Sequence, residues 1–472
     1  MSAERLDGYE TGVEYVEHWQ PELAPPWLDA VVVEGGLAPP RADASSAFRY
    51  LDLGCGRGTS VNLLAASCPQ GEFVGVDVMR VHIDAATALA AEAGLANASF
   101  VAASFESLLA DPPAPFDYVV MHGVWTWVDE RNRALLVRLL DRVLRPGGVL
   151  YVSYNTLPGW TMALPAQRLL LALASGSGEA DPVARLHHAA ATIRALDDAG
   201  ALAVTANPGA RWLLDEIARR EPGYVVHEYL HAGWRPIYVT ELLDALAPLD
   251  VALAGSASFL EGRREYVLRR AQRALVDAAD ATPERELLLD FCLNRSLRRD
   301  VFVRAPRTAL GAAEVGRWLL AQNVLARVPA EAVAFELAVP AGRLRFDNRA
   351  TREVVAHLAA APGSLGVLAR NDPADGPTAA DVLAARRVLL AAEVVLPADP
   401  AHARSRHRVL NRAILRRCDG ARPIPMLATA HGVPLDVTVA DQRSLRGGGE
   451  DDGTRPSGAR PYQAIHAALD LL

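Results

Sequence analysis

The chain has 472 residues, 51% of them apolar and 22% charged, with a net charge of −8. That length holds two or three domains with ample core, and the acidic balance gives no electrostatic case for nucleic acid or an anionic membrane as partner. All 48 basic residues are arginine, so chemistry that needs a lysine on this chain, such as a Walker-type phosphate lysine or a Schiff base, is excluded.

The opening residues, MSAERLDGYETG, lack the basic-then-apolar pattern of a secretory signal, and no apolar run approaches a bilayer span. A cytoplasmic protein is expected. From residue 48 to 155 the chain alternates in the manner of a parallel α/β sheet, doubly wound. FRYLDLG (48–54) reads as a buried strand and TSVNLLAASC (59–68) as a helix ending before Pro69. EFVGVDV (72–78) is the second strand, HIDAATALAAEAG (82–94) a helix stopped by Gly94, ASFVAAS (98–104) the third strand and FDYVVMHG (116–123) the fourth. Asp129 then caps ERNRALLVRLLDRVL (130–144), whose leucines recur at helical spacing. RPGG turns the chain into a fifth strand, VLYVSYN (149–155).

Residues 160–220 read as mainly helices around a polar loop near 175–182. The strand-like pieces VALAGSASFL (251–260) and RDVFVRA (299–305) follow, mixed with helix. Beyond residue 308 a helix, the hairpin-like VAFELAVPAGRLRFDN (333–348) and a second helix predict a winged-helix-like arrangement. Residues 441–460 read as a flexible loop. Cys55, Cys68, Cys292 and Cys418 lie far apart with no CxxC spacing, so neither a disulfide framework nor a thiolate zinc site is expected, and no metal is assigned.

LDLGCGRGTS places Gly54, Gly56 and Gly58 directly between a strand and a helix, where backbone N–H groups can approach a ligand without a Cβ in the way. A dinucleotide fingerprint would put its third glycine at 59, where Thr59 stands. The G-x-G-x-G spacing, with Asp52 two residues before it, is instead the pattern of S-adenosylmethionine (SAM) methyltransferases. That cofactor presents an amino-acid end and a ribose, which suit an acid and close backbone contact. Asp77, at the end of the second strand with Val78 beside it, is placed to accept both ribose hydroxyls. Ser104 and Phe105, ending the third strand, would flank the adenine.

Ligands of open α/β sheets bind at the carboxyl ends of the strands. His122 ends the fourth strand on the cofactor side, followed by Trp125 and Trp127, and YNTLPGW adds Tyr154, Asn155 and Trp160 to the same rim. Aromatic faces attract a sulfonium or an ammonium by about 1–2 kcal/mol when water is excluded, so the cluster reads as an acceptor pocket. The bland alternative is that each ring glues a helical lid to the sheet. His122 and Tyr154 are the candidates to take a proton from the acceptor.

The run LDLGCGRGTSVNL, EFVGVDV, FDYVVMHGVWTWVDERNR and LRPGGVLYVSYNTLPGW resembles the class I SAM-dependent methyltransferases that carry a methyltransferase regulatory domain, among them the rickettsial-type protein-lysine methyltransferases. HEYL (227–230) and LLDFCLNRSLRRDVFVRAP (288–306) resemble the regulatory segment. The resemblance covers residues 5–310 well and the remainder loosely. It implies a Rossmann-like methyltransferase core over 1–160, a helical lid and regulatory segment completing the sheet over 161–307, and an accessory domain over 308–472. It implies SAM bound by Asp52, Gly54, Gly56, Gly58 and Asp77, with the strand-end aromatics lining the acceptor site. Ser104 departs from the family, where an acidic residue often contacts the adenine amino group.

HEYLH (227–231) also matches H-E-x-x-H, the zinc-peptidase signature, but Pro222, Gly223, Gly233 and Pro236 leave little room for the helix that chemistry needs. The arginine-rich ARSRHRVLNRAILRRC (403–418) reads as an exposed helix face. The expected function is methyl transfer from SAM to a protein or peptide, a lysine amine first. A small-molecule or natural-product acceptor comes second, and a non-catalytic SAM-binding scaffold third. Nothing in the sequence specifies an oligomeric state.

Overall fold

The computed structural model describes residues 19–420 and 423–446, together with Arg5–Leu6 and Tyr9–Glu10 as a two-stranded pair. Seven strands form the central sheet: β1 Phe48–Leu53, β2 Gly71–Asp77, β3 Ala98–Ala102, β4 Phe116–Met121, β5 Leu144–Asn155, β6 Val251–Ser256 and β7 Leu297–Arg304. Their order is β3-β2-β1-β4-β5-β7-β6. The first five run parallel, and β7 runs antiparallel to both β5 and β6.

Strand alternation divides the sheet's side chains between two cores. Tyr50, Tyr118, Tyr151, Val301 and Val303 point into one; Leu51, Leu53, Val119, Met121, Leu150, Val152 and Phe302 into the other. Both faces are buried, as near-continuous apolar strands require. Helices α1 Pro25–Glu34, α2 Thr59–Ser67, α3 Arg80–Ala93, α4 Phe105–Ala110 and α5 Glu130–Val143 belong to this part of the chain. Asp129 accepts a hydrogen bond from Asn132 N at 2.8 Å and so caps α5, whose Leu136, Leu139, Leu140 and Val143 recur at helical spacing and are buried.

The lid is a helical bundle with its own core: α6 Leu164–Gly176, α7 Pro182–Asp198, α8 Pro208–Arg219 and α9 Pro222–Tyr229, joined by a single turn at Leu202–Thr205. Helix α10 Val239–Leu246 then returns to the second sheet face, and α11 Thr282–Leu293 leads into β7.

Beyond residue 307 the expected helix, hairpin and second helix are present as Ala312–Ala321, Glu336–Val339 with Gly342–Arg345, and Arg349–Ala360. A separate three-stranded sheet pairs Asn323–Ala326 with Gly363–Ser364 and Val395–Ala398. Among the described residues this region builds no core of its own. Val324, Leu389, Leu396, Leu410 and Ile414 belong to the same hydrophobic cluster as Tyr50, Tyr118 and α1. Helix α1, nine of whose ten residues are buried, is enclosed between the sheet and this region. The arginine-rich helix His407–Arg416 packs on α2 and α3, so its apolar side is interior. The loop expected from 441 is corrected at its start: Val439–Arg446 is helical, and the rest of 441–460 lies outside the described residues.

Candidate functional site

The strand order reverses between β1 and β4, and the glycine turn lies at that switch point, where an open α/β sheet leaves a crevice. Gly54, Gly56 and Gly58 all have positive φ, 82°, 53° and 69°, a conformation other residues adopt only with strain. Their surroundings differ. A Cβ at Gly54 would stand 2.5 Å from Val124, and one at Gly58 2.5 Å from Ala86 and Phe100; at Gly56 nothing lies within 4 Å. The outer glycines are therefore required by packing, and Gly56 borders open space.

Asp77 holds the turn together. Its carboxylate accepts from Gly56 N at 2.9 Å and Met79 N at 2.8 Å, and lies 3.3 Å from His82 Nδ1. Asp52 is 4% exposed; burial first, then the charge of Asp77, lifts its carboxyl to about 7. Val78 follows Asp77 and is 47% exposed, a large apolar side chain uncovered beside two acids. Ser104 is exposed and spends its hydroxyl on the α4 cap, accepting from Ser107 N at 3.2 Å, while Phe105 packs against the second core. His122 ends β4 with Nδ1 2.9 Å from Tyr151 Oη, the two rings stacked 11° from parallel. Gly123 N donates to Ser153 Oγ at 2.8 Å.

The aromatic rim divides. Trp125 is 2% exposed and lies in the second core with the leucines of α5, so it is corrected from pocket wall to core residue. Tyr154 is corrected as well. It is 1% exposed, its hydroxyl donates to Asp300 at 2.7 Å, and burial followed by the Asp300 charge keeps the phenol protonated. It cannot serve as a base there. The reason is strand parity: Tyr154 shares its face with Leu150 and Val152, whereas Tyr151, Ser153 and Asn155 share the other.

Trp127 and Trp160 do come together, within a cluster that the lid completes. Trp160 is 4.8 Å from Trp234, 5.4 Å from Trp212 and 6.3 Å from Tyr229, ring centre to ring centre, and Trp127 is 5.6 Å from His231 and 6.2 Å from Trp234. Asn155 accepts from Trp234 Nε1 at 3.0 Å, and Trp160 Nε1 donates to Ser296 O at 2.8 Å. These contacts fasten the lid over the ends of β4 and β5. Sequence reasoning missed Trp234, Trp212 and Tyr229, which come from 52 or more residues downstream of Trp160, and missed Tyr151 and Ser153, which the alternation of VLYVSYN could have placed beside His122.

HEYLH does not build a peptidase site. Helix α9 ends at Tyr229, so His231 lies past it, and its Nδ1 accepts from Gly233 N at 3.0 Å. Among the described residues the motif forms no cluster of three metal-ligating groups.

The sheet order and the glycine turn at its switch point define a class I, Rossmann-like methyltransferase fold. Residues 44–175 match the methyltransferase domain and residues 221–304 the predicted methyltransferase regulatory domain. Protein sll1526 of Synechocystis sp. is 31% identical over 378 residues, covering 79% of this chain and 73% of that one. The chain belongs to the SAM-dependent methyltransferases with a regulatory domain, and SAM is its cofactor. Trans-aconitate 2-methyltransferase of Pseudomonas paraeruginosa is 34% identical over 143 residues, 30% of this chain and 47% of that one. PKMT2 from Rickettsia typhi shares the fold at a TM-score of 0.68 and 20% identity, over 96% of this chain and 91% of that one; it has also been solved with AdoHcy. The open space at Gly56, the two acids and uncovered Val78 fit such a cofactor. No helix among the described residues is long and apolar enough to cross a membrane.

Proposed function

We propose that the chain methylates a lysine amine on a protein or peptide. The observation that carries this reading is the extent of each likeness: the architecture of PKMT2 is shared through the lid and the region beyond 307, whereas the trans-aconitate enzyme matches 30% of the chain. A large body surrounding the site suits an extended acceptor better than a free metabolite.

SAM supplies a sulfonium-activated methyl group. Asp77 holds the ribose hydroxyls, Asp52 faces the amino-acid end, Gly54, Gly56 and Gly58 bring the backbone close, and Val78 and Phe105 flank the adenine beside Ser104. His122, its ring oriented by Tyr151, takes the proton that a lysine ammonium must lose before it can attack. Trp127 and Trp160 with the lid exclude water, and Trp127 offers a face to the cation. The enzyme's contribution is positional: holding two centres near contact and dry.

The trans-aconitate relatives favour a second reading, a small-molecule acid as acceptor. Purified protein, tritiated-methyl SAM and a lysate of the source organism separate the two. Acid-precipitable, protease-sensitive label is the expected result. Label confined to the soluble small-molecule fraction would overturn the protein reading. The enzyme itself provides a control, since it has no lysine. Side-chain label on its own band would mean that the acceptor atom is not a lysine nitrogen.

A further inference from the structure

A cleft of about 410 Å³ lies at the seam of the two matched domains, with α5 on one side and residues 235–245 of the regulatory domain on the other. The volume is in the range of small-molecule pockets, about 300–1,000 Å³. None of the proposed cofactor-binding residues lines it. Its buried floor is apolar, formed by Ile237 and Trp125 with Val137 beside them, and Arg133, Arg138 and Arg235 stand around it.

The charges in this cleft do not balance. Glu241 is committed, since its carboxylate accepts from Tyr238 N at 3.0 Å and pairs with Arg235 at 2.5 Å. Glu130 is largely exposed and reaches Arg133 and Arg235 only at 3.6 and 3.9 Å. Arg138 makes no ion pair among the described residues. Arg133 is buried, with Nε donating to Trp125 O at 3.0 Å. Burial first, and then the like charge of Arg235, holds its guanidinium below the usual arginine range, against the opposing pull of Glu130, Glu241 and Asp129.

We propose that this cleft binds a small anion, a carboxylate or phosphate carried on an apolar body. Guanidinium forks match either oxyanion bidentately, and the apolar floor accommodates the remainder. Occupancy is linked to the transfer site through the backbone. Arg133 holds Trp125 O, and Arg235 N donates to Thr126 O at 2.9 Å, both within the loop that carries His122 and Trp127. Ile237 is bridged to Thr156 at the end of β5. The inference goes beyond methyl transfer and stands whichever acceptor is used.

The test is a titration of the full chain with phenyl phosphate and with inorganic phosphate, potassium chloride holding ionic strength constant. Tryptophan fluorescence, to which Trp125 contributes from the floor, and the thermal midpoint report binding. A saturable response is expected, with half-saturation at least tenfold lower for phenyl phosphate. Arg138→Gln should raise it at least tenfold, because Arg138 is exposed and holds no other group in place. Arg404→Gln, an exposed arginine outside the cleft, should leave it unchanged. No saturable response, or equal responses in the two variants, overturns the site. Equal half-saturation for the two probes overturns the apolar part of the ligand.

Discussion

Asp52 is buried beside a second carboxylate, and at the amino-acid end of the cofactor, where we propose it stands, it should make binding pH-dependent. Its folded pKa of about 7 stands above the value of about 3.9 in an unfolded chain, so the folded protein takes up a proton between those values. Stability therefore falls as pH rises from about 3.9 to 7 and the full cost is present above 7; an ammonium bound at Asp52, as proposed, would offset that cost. SAM affinity should therefore rise by about tenfold between pH 5.5 and 7, as the carboxyl ionises. Above this window the cofactor's own α-amino group, near 7.7–8.0, begins to lose its charge. Calorimetric titration of Asp52→Asn should show a flat profile below pH 7; an unchanged slope would remove Asp52 from the amino-acid end. Asp77→Ala should weaken SAM binding by at least roughly 100-fold, the loss of two hydrogen bonds to a charged acceptor at about 1.5–3 kcal/mol each. Because Asp77 also holds Gly56 N and Met79 N, the binding loss has to be read beside the thermal midpoint. Unchanged affinity would sink the ribose assignment.

At the scale of elements, the lid and the sheet edge respond differently to the loss of a tryptophan. Trp234 is fully buried in the lid's own cluster and donates to Asn155, so Trp234→Ala should cost about 3–5 kcal/mol locally. Hydrogen exchange should quicken across 164–229 while β1 and β2 keep their protection. Trp125→Ala should instead lower the midpoint of the whole sheet, since Trp125 is packed with β1, β4 and β5 side chains. Equal exchange patterns in the two variants would contradict this division. The same contrast explains what could be read in the chain. The strands from 48 to 155 declare themselves because both faces are apolar, and the glycine turn because its spacing is local. Tyr154 was misplaced because a strand end does not by itself show which face its residues take, and parity against Leu150 and Val152 puts it in the core; Trp125 lies in the turn after β4, and tertiary packing draws it into the same core. The partners of Trp160 in the lid, Trp212, Tyr229 and Trp234, are set by tertiary packing and carry no local signal.

Across the whole molecule, one core joins the methyltransferase sheet to the region beyond residue 307, and a buried cation marks the joint. Arg41 donates to Asp29 of α1 at 2.7 and 2.9 Å and to Asp399 at 2.8 and 3.2 Å, and Tyr118 of β4 donates to Asp29 at 2.5 Å. Burial works against every charge here. It outweighs Arg41 at Asp29, whose carboxyl is raised, while at Asp399 Arg41 and His402 overcome it and hold the carboxyl low. Removing the guanidinium leaves two carboxylates in an apolar seam, and that is costlier than losing the attraction itself. Arg41→Met should therefore destabilise the protein by about 3–5 kcal/mol, seen as a lowered urea midpoint in a single transition that includes both regions. Neutralising the acids as well, in Arg41→Met with Asp29→Asn and Asp399→Asn, should recover most of the loss, because no uncompensated charge remains. If the triple variant is no more stable than Arg41→Met, the seam depends on the ion pairs as attractions. If the two regions unfold in separate transitions, the continuous core around α1 does not couple them.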